Sequence, residues 1–177
     1  VGDALGWPQE DRPRRVDTRA GSPKGIPFEA LQRWVRRSGG RYYLHEEVIL
    51  EGEYSDDTQL LLCTARSLFY GPQWWRYLTA KELPIWILYE RGGGGATKHA
   101  AEVWLSGREP WSPAQTTDRK RYFEAGGNGV AMRIMPHCLL GVKETNFGSI
   151  ARNIVANGVC THGHPRALVG ALAYGFA

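Results

Sequence analysis

The sequence predicts an all-α protein, a multi-helix bundle around one core. Two observations carry this. Apolar residues recur at helical spacing in one segment after another beyond Thr58. Period-two alternation is almost absent, and Val48-Ile49-Leu50 is the short strand candidate.

The first clear helix follows Thr58, with Leu61, Ala65, Leu68 and Phe69 on one face and Gly71-Pro72 closing it. Thr79-Ala80-Lys81-Glu82 has capping-box spacing, so a second helix is expected through Trp86 to Arg91. Gly92 to Gly95 breaks it. Ala96 to Leu105 forms the next, with Ala96, Ala100, Val103 and Trp104 together. Ser106 to Thr117 reads as a loop, with Pro110 and Pro113 as breakers. Val130 to Leu140 is expected helical and kinked at Pro136. Phe147, Ile150, Ala151, Ile154 and Val155 mark a helix ended by Asn157-Gly158. The last helix starts near His164-Pro165. Asp11 to Tyr54 is the least regular part, a long excursion. The run from Ala167 to Ala177 is apolar, with no stop signal. The expectation is one domain over residues 1–177, incomplete at its C-terminus.

The chain has 177 residues, 42% hydrophobic and 23% charged, which suffices for one core. No apolar run approaches the roughly 20 residues needed to span a membrane. Cys63, Cys138 and Cys160 are widely spaced in apolar contexts, without a CxxC, and read as buried free thiols. A reducing, cytoplasmic setting is the corresponding expectation. The net charge of +4 is local in origin: Asp11 to Arg41 holds nine Lys/Arg against three Asp/Glu. A solvated basic loop accounts for this. The rival reading, a surface for an anionic partner, has no nucleic-acid motif behind it.

Four clusters bear chemistry. Ser55-Asp56-Asp57-Thr58 is a dense set of hard oxygen donors, of the kind that Mg²⁺, Mn²⁺ or Ca²⁺ takes. Alternatively, Asp56 is an N-cap and Gln59 completes a capping box, which leaves Asp57 unexplained. Gly2-Asp3 to Glu10 offers two carboxylates and a close-approach glycine, Gly6, or else simple helix packing with a solvated Glu10. Gly126-Gly127-Asn128-Gly129, ahead of the helix from Val130, has the composition of a phosphate-holding turn at a helix N-terminus, or of a plain loop. Arg133 either reaches an anion or braces the helix. Thr161-His162-Gly163-His164-Pro165 has too few neighbouring ligands for zinc; its histidines bond a ligand oxygen or cap the next helix.

Taken in order, Gly2-Asp3…Gly6…Glu10, Ser55-Asp56-Asp57-Thr58, Gly127-Asn128-Gly129…Met132-Arg133 and Thr161-His162…Pro165 resemble the ADP-ribosylglycohydrolase family, from Gly2 to the end of the chain. The resemblance implies an orthogonal all-α bundle with a dinuclear Mg²⁺ or Mn²⁺ centre. It also implies hydrolysis of ADP-ribose from a modified protein side chain or a related conjugate. Residue by residue, it makes Ser55, Asp56 and Asp57 metal ligands, with Ser55 where threonine is common. It makes Glu10 a catalytic carboxylate beside the metals, Gly127, Asn128 and Gly129 a diphosphate- and ribose-binding loop, and His162 a lining residue of the ADP-ribose cleft. The family's second metal motif, Asp-x-Asp-Thr near the C-terminus, is absent, and no aspartate follows Asp118. Only half of the two-metal site is therefore expected in these residues. The runner-up reading is a degenerate module that binds ADP-ribose or a nucleotide without turnover. A nucleic-acid binder ranks last.

Overall fold

The computed structural model describes residues 1–10, 30–40, 43–142 and 147–177. Most of the basic Asp11–Arg41 stretch lies outside the described residues. Helices dominate, and the sheet found among the described residues has two strands, so the all-α class holds. The chain divides into two compact units, Val1–Ser55 and Asp56–Ala177.

The first unit contains helix α1 (Gly2–Glu10) and an antiparallel hairpin of β1 (Trp34–Gly40) and β2 (Tyr43–Ile49). Only the end of β2 lies in the predicted Val48–Leu50 strand. Trp34 pairs with Ile49, Val35 with Val48 and Arg36 with Glu47. Val35 and Val48 are both exposed, whereas Ile49 is buried, so the inward face is the one that carries Trp34 and Ile49, with Arg36 and Glu47 further along it. Two arginines and two glycines in β1 hide its alternation from a periodicity search. Trp7 of α1 meets Trp34 edge-on at 5.3 Å, and the Arg36 guanidinium lies 5.8 Å from the Trp7 ring. Arg36 and Glu47 are directly opposed, 3.5 Å apart.

The second unit opens with α2 (Asp56–Leu68). Its buried seam is Leu60, Cys63, Thr64 and Ser67; of the predicted Leu61, Ala65, Leu68 and Phe69, Leu68 packs against this core from a half-buried position, while Phe69 is 89% exposed. Polar Thr64 and Ser67 are buried because each has a hydrogen bond: Ser67 Oγ donates to the Cys63 carbonyl, and Thr64 Oγ1 accepts from Asn157. A scan for apolar residues alone therefore picks the wrong face.

A 3₁₀ turn (Gly71–Gln73) leads directly into α3 (Trp74–Tyr77), a π-helical turn (Leu78–Glu82) and α4 (Leu83–Trp86). The expected capping box does not form. Thr79 sits inside this helical run and donates back to the Trp75 carbonyl at 3.0 Å. Glu82 turns to Arg66 instead, whose Nη2 lies 2.6 Å from its carboxylate. The run also stops at Trp86 rather than Arg91. Helix α5 (Gly95–Leu105) is where the sequence puts it, burying Thr97, Ala100, Ala101 and Val103. Helix α6 (Thr116–Glu124) begins within the predicted loop. Only Tyr122 anchors it inward, too little for an apolar pattern.

Beyond α6, a 3₁₀ turn (Ala131–Arg133) precedes α7 (Met135–Gly141). Pro136 starts this helix rather than kinking a longer one, as suits a residue without an N–H. Helix α8 (Phe147–Val159) runs through Asn157-Gly158, the predicted stop. Gly158 is needed there for close packing: a Cβ would overlap Leu168 Cδ2. Helix α9 (Pro165–Phe176) starts as expected, with His164 Nδ1 accepting from Arg166 N at 3.1 Å. Two apolar clusters form the core. One centres on Leu60, Leu78, Leu83 and Trp86, the other on Val130, Ile134, Ile154 and Ala171. All three cysteines are free, and Cys63 and Cys160 are buried as predicted; Cys138 is half-buried. No helix among the described residues is long and apolar enough to cross a membrane.

Candidate active site

Ser55 closes the first unit. Its backbone N–H and its hydroxyl both donate to the Asp3 carboxylate, the hydroxyl at 2.7 Å from Oδ1. Asp3 thus orients Ser55 and engages its proton, while a hydroxyl oxygen keeps two acceptor lone pairs. A ligating hydroxyl is suited by that arrangement: its hydrogen is held by a carboxylate, so its oxygen can turn to a cation. The sequence reading noted Asp3 as a carboxylate but missed this pairing, which joins residues 52 positions apart.

Asp56 and Asp57 form the first turn of α2, where the positive end of the helix dipole favours negative charge. The capping-box alternative fails. The Asp56 N–H donates to the Arg91 carbonyl at 2.8 Å. Gln59 turns the other way: its Oε1 accepts from Trp86 Nε1 at 3.0 Å and Arg91 N at 3.2 Å, and its Nε2 donates to the Tyr89 carbonyl. Gln59 therefore ties the 86–91 segment to α2. Asp56 is 7% exposed.

These donors are of the hard oxygen type that Mg²⁺ and Mn²⁺ prefer. They fit such an ion in kind but not in number. Among the described residues, no three His, Cys, Asp or Glu side chains come together as a metal-holding group. Glu10 is the last residue of α1 and is exposed.

Gly127 and Asn128 are exposed, and Gly129 is buried. The Asn128 carbonyl accepts from Met132 N at 3.3 Å. The element that follows is a single 3₁₀ turn, not the long helix expected, so no macrodipole stands behind the loop. Any anion held there must be met by backbone N–H groups and side chains.

The structure does bring the loop to His162. A Cβ on Gly129 would lie 2.9 Å from His162 Cε1 and 2.8 Å from Thr97 Oγ1, so only glycine allows this approach. Gly126 is held from the other side, its carbonyl accepting from Arg166 Nε at 3.0 Å. His162 is 1% exposed. Burial, reinforced by the Arg133 charge, pushes it down to about 3, so it is neutral at pH 7. The other histidine of that motif, His164, caps α9.

Arg133 braces the interior and does not reach outward. It is fully buried; Nε donates to Asn157 Oδ1 at 2.7 Å, and Nη2 to the Asn157 carbonyl and to Thr161 Oγ1 at 2.9 and 2.8 Å. Desolvation lowers it to about 10, which leaves it charged at pH 7. Asn157, read as a helix stop, is the hub of this network. The available signal was an amide on the same helical face as Ile150 and Ile154.

An open pocket of about 470 Å³, lined by Trp74, His137, Leu140 and Asn153 among others, includes none of the predicted site residues.

The fold is all-α, with an acidic first turn on α2 and a glycine loop packed against a neutral histidine. A family model described as ADP-ribosylglycohydrolase matches residues 1–177, and the chain belongs to that family. The class of activity that goes with it is glycoside hydrolysis on ADP-ribose. No curated protein and no solved structure matches the chain.

Proposed function

We propose that this protein is a metal-dependent hydrolase that removes ADP-ribose from a modified protein side chain or a related ADP-ribose conjugate. The observation that carries the reading is the family match over residues 1–177, which includes every predicted site residue. The Asp3–Ser55 hydrogen bond and the Gly129–His162 contact support it, since each gives a definite task to residues singled out from the sequence.

In this reading Ser55, Asp56 and Asp57 hold the Mg²⁺ or Mn²⁺ ions in part. A dication held there would supply Lewis acidity. Gly127, Asn128 and Gly129 present backbone N–H groups to the diphosphate, and His162 donates to a ligand oxygen. Glu10 takes the proton of the attacking water. The water oxygen bonds the anomeric carbon as the glycosidic bond breaks, its electron pair leaving with the acceptor side chain, which takes up a proton equivalent to the one Glu10 removed. A nearby carboxylate stabilises the oxocarbenium-like state between.

The test is release of ADP-ribose from ADP-ribosylated protein with added Mg²⁺ or with chelator. Release that chelator abolishes supports the assignment; release indifferent to metal removes the metal from it. The second reading is ADP-ribose binding without turnover. Calorimetric binding of ADP-ribose without any release would select it.

A further inference from the structure

The Arg133 network fixes more than packing. A guanidinium can only donate. Its Nη2 donates to Thr161 Oγ1 at 2.8 Å, so that hydroxyl oxygen is an acceptor there. That oxygen could accept a second time, but Arg133 and His162 are its two side-chain partners and Arg133 cannot accept, so the hydroxyl's own proton has one acceptor, His162 Nδ1, 2.7 Å away. A neutral imidazole that accepts at Nδ1 has its proton on Nε2. The same logic acts on Asn157: because Oδ1 accepts from Arg133 Nε, Nδ2 faces His137 Nε2 at 3.2 Å and Thr64 Oγ1 at 3.2 Å. His137 accepts at Nε2 and has its proton on Nδ1.

We propose that Arg133, acting through the Thr161 hydroxyl, is a positioning residue that holds His162 as the Nε2–H tautomer, a fixed hydrogen-bond donor beside Gly129 for an acceptor oxygen of the bound ligand. The ring is pinned at one end by Thr161 and packed at the other against Gly129, where a Cβ would sit 3.2 Å from Nε2. The opposite tautomer would turn a lone pair toward a phosphate or ribose oxygen and would leave the buried Thr161 proton without its acceptor, a costly state. The identity of the ligand rests on the ADP-ribose reading; the tautomer does not.

Long-range ¹⁵N–¹H NMR of the ligand-free chain reads the tautomer directly, with His162 assigned through His162→Gln. The expected wild-type signature is a protonated Nε2 and an unprotonated Nδ1 at His162, and the reverse at His137. A protonated Nδ1 at His162 overturns the proposal without any variant. Thr161→Val should mix the tautomers, and Thr161→Ser should restore Nε2–H. A Thr161→Val spectrum identical to wild type also overturns it. ADP-ribose titration separates the two claims. Binding weakened about tenfold or more in Thr161→Val and recovered in Thr161→Ser supports both. No ADP-ribose binding with Nε2–H intact sinks the ligand reading and leaves the relay standing.

Discussion

Arg133 Nε donates to Asn157 Oδ1 at 2.7 Å while Nη2 reaches the same residue's carbonyl at 2.9 Å. One buried residue thus receives two of the guanidinium's donors, and its side-chain amide passes its own protons to Thr64 and His137. Asn157→Leu removes the three side-chain hydrogen bonds and leaves the one to the backbone carbonyl. Unfolding in urea should show a loss of roughly 3 kcal/mol, the usual cost of stranding a buried charge. A loss below about 1 kcal/mol would mean that the network relaxes onto other groups.

Gly129→Ala tests the approach of the glycine loop to His162. The new Cβ would stand 2.8 Å from Thr97 Oγ1 and 2.9 Å from His162 Cε1, so one of them must move. The expected outcome is ADP-ribose binding weakened by about tenfold or more, with stability reduced by roughly 1–3 kcal/mol. Gly127→Ala has open space and should leave stability unchanged.

Stability should fall with acid in a defined window. Burial and the Arg133 charge push His137 from 6.5 down to about 4, and His162 from 6.5 down to about 3. Between those values and 6.5 the unfolded chain binds protons that the folded chain does not. The stability they contribute is fully present above pH 6.5 and is lost as pH falls toward 4 and then 3. Each histidine adds a slope of up to about 1.4 kcal/mol per pH unit. Urea titrations between pH 7 and 4 measure it, and His137→Asn should flatten the curve.

The Arg66–Glu82 pair is asymmetric. Its carboxylate side chain is 10% exposed and its guanidinium side 46%. Removing Arg66 leaves a buried charge, whereas removing the charge of Glu82 leaves an arginine that can turn to water. Arg66→Ala should therefore cost more than Glu82→Gln, about 2 against under about 1 kcal/mol. Equal losses in chemical denaturation would contradict this.

Asp56→Ala and Asp57→Ala should each lower Mg²⁺-dependent ADP-ribose release by about a hundredfold or more, while circular dichroism remains that of the parent. Unchanged release would remove both carboxylates from the site.

The amino-acid pattern was enough for the class and the family. Helix periods, Gly/Pro punctuation and four ordered motifs are local properties, readable within a few residues of each other. The structure kept the predicted positions of α2, α5 and α9 to within a few residues. What the pattern misplaced depended on distant partners. Thr64 and Ser67 are buried on α2 because their hydrogen bonds are met inside, one of them by Asn157. Glu82 is not a cap because Arg66, sixteen residues away, claims it. Gln59 is not a capping-box partner because Trp86 and Arg91 bind it.

The site shows the same division. Residue type alone marked Ser55, Asp56 and Asp57 as hard oxygen donors and the 126–129 turn as a phosphate-holding turn or a plain loop. Only the tertiary structure set the Ser55 proton on Asp3 and brought His162 against Gly129. It also placed Arg133 in the buried network that has Asn157 as its hub. A hydrogen bond's direction depends on which donor and acceptor the fold brings within 3 Å, and no single stretch of chain contains both.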